Sequence, residues 1–211
     1  SGKTTMLKVA AEIWKQSGFT PRGIALSGKA ADGLQTEAGI ESATIAKTLF
    51  DIEKERNPLT EKTVLVLDEA GMVGTKHMSR LIKEVEKAKA KLVLVGDAKQ
   101  LQPVDAGGPF SAIVDRLGDV ALTEIIRQKE TWAREAVHDM ANGLAAKALN
   151  ALASRGQISI SEDKPHARNS LLDAWKCEGL EKPQENLILT GTNHDAAILN
   201  REAQAVRKKE G

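Results

Sequence analysis

The chain has 211 residues, of which 41% are hydrophobic and 28% charged, as in an ordinary globular protein with a sizeable core. Thirty Lys and Arg residues nearly balance 29 Asp and Glu residues, and aromatic residues are only 3%, so neither a strongly basic nucleic-acid surface nor an extensive base-stacking platform is expected. The single cysteine excludes an intramolecular disulfide, and no apolar run approaches the roughly 20 residues of a membrane span, so we expect a cytoplasmic protein without a membrane anchor.

The chain opens with SGKTTML, which matches the second half of the phosphate-binding pattern G-x-x-x-x-G-K-[ST]. Gly2, Lys3 and Thr4 fit the end of that pattern, and its first glycine would lie upstream of Ser1. Four letters alone do not distinguish a chance match from a P-loop whose front half is absent. The other parts of a nucleotide-hydrolysing enzyme have to follow in the right order.

Apolar runs alternate with helical patterns over the first part of the chain. Three runs predict short buried strands, namely GIALS (23–27), TVLVLDE (63–69) and KLVLVGD (91–97). One helical segment has its apolar stripe at Leu7, Ala10, Ala11 and Trp14, with a C-cap at Gly18, and a second has its stripe at Met78, Leu81, Ile82 and Val85. Alternation of this kind predicts an α/β fold with a parallel sheet covered by helices on both faces.

The pattern changes after about residue 128, and we place a domain boundary between residues 128 and 135. The segment from Trp132 to Leu152 is helical and alanine-rich, and Asn142-Gly143 could break it. Two further strands are predicted by GQISIS (156–161) and ENLILTGTN (185–193), and two further helices by SLLDAWKCEG and DAAILNREAQAVRKKEG.

Two adjacent carboxylates, Asp68 and Glu69, follow the apolar strand VLVL. The carboxyl end of a strand is where ligands bind in open α/β sheets. Mg²⁺ prefers oxygen ligands and an attacking water needs a base, so Asp68 can face the metal and Glu69 the water. An acidic turn without a function is the alternative for a lone pair of this kind, but the GKT segment some 65 residues earlier favours a nucleotide site.

Two more polar residues follow predicted strands. Gln100 comes soon after KLVLVGD, and its amide can orient water or contact a phosphate oxygen. Arg127 follows the apolar run LTEII and can stabilise charge on a transferring phosphoryl group. Taken alone, each is more simply interpreted as a polar surface residue.

Several other residues are interpreted as structural. The four histidines have no metal-ligand spacing, which argues against a zinc site. Trp14 and Met78 fit the helical core stripes, and Phe110 is better explained as a core residue than as a base-stacking one. Trp132 lies just past Arg127 and could border an adenine ring.

The order of these segments is similar to motifs I, Ia, II, III and IV of superfamily 1 DNA helicases, in the form GKTT, ALSGKAADGL, LDEAGM, LVGDAKQLQPV and LTEIIRQ. DEAGM and GDxxQLxPV resemble the RecD-type 5′→3′ branch. The helicase part of Ti-type conjugative relaxases of the TraA kind is closer still, through ALSGKAADGLQTEAGIESATIAKTL, VLDEAGMVGTKHMSRLI and TEIIRQKETWAREAVHDMANG. ILTGTNHDAAILNREA resembles the first strand and helix of the second motor domain, so the resemblance covers essentially the whole chain.

The resemblance implies an ATP- and Mg²⁺-dependent motor and gives roles to the P-loop residues. Lys3 would hold the β- and γ-phosphates, and Thr4 would bind Mg²⁺ through its hydroxyl. Gly2 and Thr5 would offer backbone amides at a helix N-terminus, which favours anions.

The resemblance also implies the catalytic roles. Asp68 would hold Mg²⁺ and Glu69 would activate the attacking water. Gln100 would sense the γ-phosphate and couple it to DNA, and Arg127 would act as an arginine finger in cis.

A DNA contact is implied as well. Ser27, Gly28 and Lys29 resemble the motif that touches the backbone of single-stranded DNA. Gly28 permits close approach, and Lys29 can meet a phosphate.

Parts of the family pattern are missing, namely the front of the P-loop, the adenine-reading glutamine, motifs V and VI, and the relaxase domain with its nicking tyrosine. We therefore expect a fragment of an ATP-dependent helicase from a conjugative relaxase, folded but catalytically silent by itself. Its first RecA-like domain would span residues 1–130, with a connector and the start of a second over residues 131–211. A monomer is favoured, and the relaxase domain would belong to the same parent polypeptide.

Three other functions stay open. A P-loop kinase acting on a small molecule would need a substrate lid, where this chain has GDAKQLQPV. A non-catalytic loading or scaffold module derived from a helicase would not need Lys3, Asp68, Glu69 and Arg127, all of which are present. A RecD-like DNA repair helicase would share the same motifs.

Overall fold

The computed structural model describes residues 2–98, 103, 106–122 and 128–210. The chain folds into two compact units, residues 1–128 and 129–211. The division lies at the start of the interval in which the sequence pattern changes, and the identity of the two units as motor domains stays a prediction. Gln100 and Arg127 lie outside the described residues.

The described part of the first unit is built on a four-stranded parallel sheet with strand order β2-β1-β3-β4. The strands are β1 (Thr20–Ala25), β2 (Ser42–Thr44), β3 (Thr63–Leu67) and β4 (Lys91–Leu94). The helices are α1 (Gly2–Gln16), α2 (Gly28–Ala38), α3 (Ile45–Glu53), α4 (Thr75–Lys87) and α5 (Pro109–Leu117), with a 3₁₀ turn at Ala70–Met72. The three predicted strands are therefore parallel members of one sheet, whereas β2 was not predicted, because three residues are too few to show a period.

Strand β3 explains why helices cover both faces of the sheet. All five of its residues are buried, and their side chains alternate between the faces. Leu65 and Leu67 pack in a cluster with residues of α3, α4 and α5, whereas Val64 and Val66 pack in a second cluster with residues of α1 and α2. The predicted α/β fold, with a parallel sheet between two helical layers, is confirmed.

The predicted helix faces agree with the structure at most positions, with Ala10 and Trp14 half-buried. Leu7, Ala11, Met78, Leu81 and Val85 are buried, and Phe110 lies in the core. Gly18 takes a left-handed conformation (φ 78°) just after α1, as its predicted capping role requires. The prediction was wrong for Ile82, which is 41% exposed, because it lies at the solvent-facing edge of the stripe formed by Met78, Leu81 and Val85.

The described part of the second unit is helical. Its helices are α6 (Thr131–Ala141), α7 (Ala145–Ala153), α8 (Lys164–Gly179) and α9 (Asn193–Glu210). The expected break at Asn142-Gly143 is confirmed, since α6 ends there and Gly143 has a φ of 79°. Arg168 on α8 pairs with Asp195 on α9 at 3.0 Å.

The two strands predicted in the second unit are wrong. Neither 156–161 nor 185–193 forms a strand, and α9 already begins at Asn193. Ile160, Leu187 and Leu189 are 93%, 82% and 81% exposed. A strand needs a neighbour for its backbone groups, and the described residues of this unit provide none.

None of the helices in the described ranges is both long and apolar enough to cross a membrane.

Candidate functional site

The two acidic residues project from the sheet because the backbone leaves the ladder for two residues and then returns. Val95 N–H donates to the Leu67 carbonyl at 2.8 Å, and the Val95 carbonyl accepts from Ala70 N–H at 2.8 Å. Val95, which directly follows β4, is therefore hydrogen-bonded to the residues on either side of the Asp68-Glu69 pair. The pair is held out as a short bulge at the carboxyl edge of the sheet.

The turn has an unusual backbone conformation. Glu69 lies in the left-handed region, with φ 50° and ψ 43°, which is uncommon for residues other than glycine. Its N–H donates to Asp68 Oδ1 at 2.9 Å, so one oxygen of that carboxylate is occupied by the turn itself. Asp68 N–H still donates to the Ile24 carbonyl of β1 at 3.0 Å, which keeps the start of the turn attached to the sheet.

Lys3 reaches this turn from the first turn of α1. Its Nζ lies 3.1 Å from Glu69 Oε1, and the two side chains are 29% and 41% exposed. The pair joins residues that are 66 positions apart in the chain. Gly2, Thr4 and Thr5 belong to the same first turn of α1, so the N-terminus of that helix, which favours anions, lies at the edge that carries the acidic pair.

Burial raises the pKa of Asp68, and the neighbouring Glu69 carboxylate acts in the same direction. The N–H of Glu69 and the ammonium of Lys3 oppose this effect but do not cancel it. The ionised form of Asp68 is thus under-stabilised by the protein alone, and a bound cation would favour it.

The predicted DNA-binding residues lie at the end of β1, which is the neighbour of β3 in the sheet. Ser27 caps α2 through its Oγ, which accepts from Ala30 N–H at 3.2 Å. Ser27, Gly28 and Lys29 are exposed, and a Cβ added at Gly28 would meet no atom within 4 Å. Internal packing therefore does not require a glycine at this position.

Three further residues that the sequence analysis considered lie either outside the described residues or in the second unit. Gln100 and Arg127 lie outside the described residues, so their places in the site stay predictions. Trp132, considered for adenine contact, lies in the second unit with its ring 4.5 Å from the guanidinium of Arg155.

Two glycines beside the acidic turn were not predicted from the sequence. Gly71 and Gly96 each lie where an added Cβ would come within about 3 Å of backbone atoms of the other's segment. The signal was present, since Gly71 follows DEA and Gly96 ends the run VLV. A glycine after a strand is too common to be singled out without its neighbours.

The described residues contain no group of three or more His, Cys, Asp or Glu side chains able to hold a metal. The Asp68 carboxylate and the Thr4 hydroxyl are too few donors for a metal cage built from protein alone. Such a pair of oxygen donors suits Mg²⁺, which is commonly held by one or two carboxylates together with phosphates and water.

Comparison with known proteins identifies the family and relatives of this chain. A family model described as an AAA domain matches residues 1–163. The chain is 42% identical over 205 residues to a probable conjugal transfer protein TraA of Sinorhizobium fredii, covering 97% of this chain and 18% of that protein. It is 43% identical over 200 residues to the conjugal transfer protein TraA of Agrobacterium fabrum, covering 95% and 18%.

A more distant similarity extends to an ATP-dependent RecD2 DNA helicase of Deinococcus radiodurans, at 32% identity over 148 residues, covering 68% of this chain and 20% of that protein. The chain thus spans about a fifth of the length of the curated relatives it matches. The resemblance predicted from the motifs is confirmed. The chain belongs to the AAA domain family and is a homologue of the TraA conjugal transfer proteins.

Proposed function

We propose that this chain is the nucleotide-binding part of an ATP-driven 5′→3′ DNA helicase that acts in conjugative DNA transfer. The observation that carries the proposal is the contact of Lys3 with Glu69 at the carboxyl edge of the sheet, next to the half-buried Asp68. The names of the relatives, conjugal transfer protein TraA and RecD2 DNA helicase, support it.

The ATP phosphates would bind at the N-terminus of α1. Lys3 offers the ammonium for the β- and γ-phosphates, and the amides of Gly2 and Thr5 lie in the same helical turn. The phosphates would compete with Glu69 for Lys3, because both are anions that can pair with the same ammonium group. Binding of ATP would then release the Glu69 carboxylate.

Glu69 would act as the general base. Its carboxylate would accept the proton of the attacking water, a role for which its position at the end of a rigid strand is suited. Asp68 and the Thr4 hydroxyl would hold Mg²⁺, which when bound neutralises charge on the phosphate oxygens. The raised pKa of Asp68, caused mainly by burial, supports a role in which a cation completes its surroundings.

Two further roles are proposed for residues outside the described ranges. Gln100 would sense the γ-phosphate and transmit its presence to DNA. Arg127 would stabilise charge on the transferred phosphoryl group as an arginine finger in cis. Both follow from the motif order in which these residues occur.

Single-stranded DNA would run over the exposed N-terminus of α2. Gly28 leaves room for a phosphate, since no protein atom lies near its missing Cβ, and Lys29 offers a charge. In the parent protein, the second unit would begin the second motor domain and a relaxase domain would share the polypeptide.

The test is ATP hydrolysis by the longer protein that carries this chain, measured with and without single-stranded DNA, beside its Lys3→Ala variant. We expect turnover that DNA stimulates and that the variant lacks. Strand displacement from duplexes with a 5′ tail, but not from duplexes with a 3′ tail, would establish the direction. Absence of turnover in the wild type would support a scaffold module, and DNA-independent phosphorylation of a small molecule would support a kinase.

A further inference from the structure

The backbone of the acidic turn packs directly on the backbone that follows β4. A Cβ added at Gly96 would lie 3.0 Å from the amide nitrogen of Gly71 and 3.2 Å from that of Ala70. A Cβ added at Gly71 would lie 3.0 Å from the carbonyl oxygen of Asp97. Both glycines have unexceptional φ angles, so what requires glycine here is space.

Phe110, at the start of α5, closes the same contact from a third side. Its ring atoms would lie 3.2 Å from a Cβ at Gly96 and 3.7 Å from one at Gly71, and the residue is 7% exposed. The turn is thus enclosed between the end of β4 and α5. We name this arrangement the glycine contact, made by Gly71, Gly96 and Phe110.

The glycine contact matters because Glu69 has a left-handed backbone conformation that is unfavourable for residues other than glycine. A left-handed glutamate persists only where its surroundings over-determine it. Here two hydrogen bonds flank Glu69 and tie the turn to neighbouring strands, from Asp68 N–H to the Ile24 carbonyl and from Ala70 N–H to the Val95 carbonyl. The second of these bonds requires the backbone of 70–71 to lie close to 95–97, which the two glycines permit.

We infer that Gly96 and Gly71 are positioning residues, which fix the left-handed backbone of Glu69 and so set the place of its carboxylate. Adding a Cβ to either would push main-chain atoms, which cannot rotate aside as a side chain can. Ala70 would move away from Val95, and Glu69 would relax toward an ordinary conformation. The catalytic consequence rests on the proposed function, whereas the conformational one does not.

The conformational test uses chain 1–211 with Gly96→Ala, Gly71→Ala and a matched control, Gly33→Ala. Gly33 lies in α2 with ordinary φ, and an added Cβ there meets no atom within 4 Å outside its own helix. We expect the Cα and amide resonances of Glu69 to shift away from left-handed values in Gly96→Ala and Gly71→Ala but not in the control. Unchanged Glu69 resonances in folded Gly96→Ala would overturn the inference. If Gly96→Ala does not fold, Gly71→Ala decides by the same criterion.

The catalytic test measures ATP turnover of the same variants in the longer protein. A displacement of about 1 Å can cost about 10²-fold in rate, so we expect kcat to fall by that order in Gly96→Ala, with the KM for ATP close to that of wild type. A general loss of folding would lower the melting temperature and reduce the apparent kcat through a smaller folded fraction, so kcat is compared per folded molecule, as determined by circular dichroism. Normal kcat in a variant whose Glu69 resonances have shifted would overturn the positioning role. If the wild type and Gly33→Ala both lack turnover, the proposed function fails, and the resonances still decide whether the glycine contact fixes Glu69.

Discussion

Two five-residue apolar segments of this chain have similar sequences and different structures. TVLVL (63–67) is the buried strand β3 of the first unit. NLILT (186–190), in the second unit, is not a strand, and its two leucines, Leu187 and Leu189, are 82% and 81% exposed, whereas Leu65 is 0% exposed.

The difference shows that neighbours decide whether an apolar run becomes a strand. β3 has parallel partners on both sides, β1 and β4, and helices on both faces. The described part of the second unit offers no strand for 186–190 to pair with. A strand that is held on both sides can also present Asp68 and Glu69 at a fixed place, which an unpaired segment cannot do.

The largest expected effect is on ATP turnover, and its test compares the Lys3–Glu69 pair at the sheet edge with a Lys–Glu pair on the surface of the second unit. We predict that Glu69→Gln in the longer protein retains ATP binding and loses about 10²–10⁴-fold in turnover, because the amide cannot accept the proton. Glu185→Gln is the control, since Glu185 pairs with Lys182 at 3.7 Å with both side chains largely exposed. Steady-state ATPase assays and binding of a fluorescent nucleotide measure the two effects. Near-normal turnover in Glu69→Gln would assign the base to another residue.

The second prediction tests the two apolar segments directly. Leu65→Ala should lower the free energy of unfolding by about 2–5 kcal/mol, because it leaves a cavity in a packed core. Leu187→Ala should change it by less than about 0.5 kcal/mol, as expected of an exposed side chain. Urea unfolding of chain 1–211, followed by circular dichroism, measures both. A large loss in Leu187→Ala would show that the segment is packed against other parts of the protein in solution.

The third prediction contrasts two aspartates with opposite pKa shifts. Burial raises the pKa of Asp68, so the folded chain holds its proton more tightly than the unfolded chain does, and the stability from this group falls as pH rises from 3.8 through the raised pKa. Without metal or nucleotide, Asp68→Asn should therefore melt higher than wild type above that window, and the difference should shrink toward pH 4. Hydrogen bonds from His166, chiefly from its backbone N–H, lower the pKa of Asp163 in the second unit.

That second aspartate gives the control with the opposite sign. Asp163 contributes stability above 3.8 and loses it as pH falls through its lowered pKa, so Asp163→Asn should melt lower than wild type at neutral pH, with a difference that closes on acidification. Melting curves from about pH 2 to pH 8 measure both differences, since the Asp163 difference closes only below pH 3.8. Equal pH dependence in the two variants would contradict the assignment of the shifts to local surroundings.

The smallest expected effect concerns backbone conformation. Positive φ angles occur at Glu69 and two other non-glycine residues of the first unit, whereas in the described part of the second unit they occur only at glycines. Glu69→Gly should be more stable than Glu69→Ala by about 1 kcal/mol, because glycine takes the left-handed conformation without a steric penalty. At Glu135 in the exposed face of α6, the order should reverse by a similar amount. Thermal unfolding of the four variants decides, and a less stable glycine variant at position 69 would indicate that the turn is not left-handed in solution.

The sequence by itself was sufficient to predict the three longer strands of the first unit's sheet and the proximity of Lys3 to Glu69. Apolar runs such as TVLVL, separated by helical patterns, predict parallel strands, and parallel strands bring their carboxyl ends to one edge. For that reason Lys3 and Glu69 could be expected near each other from positions 66 residues apart. The roles of these residues remain proposals, because chemistry is not read from position alone.

Only the tertiary structure decided the left-handed turn at Glu69, the glycine contact and the absence of strands at 156–161 and 186–190 in the second unit. Each depends on groups that are distant in the chain. Glu69 is held by a bond from Ala70 to Val95, the two glycines are required by each other's backbone, and a strand requires a partner. The sequence of a segment sets its own preference for helix, strand or turn. These features arise where contacts with residues distant in the chain override that preference, or where the partner that it requires is absent from the described structure.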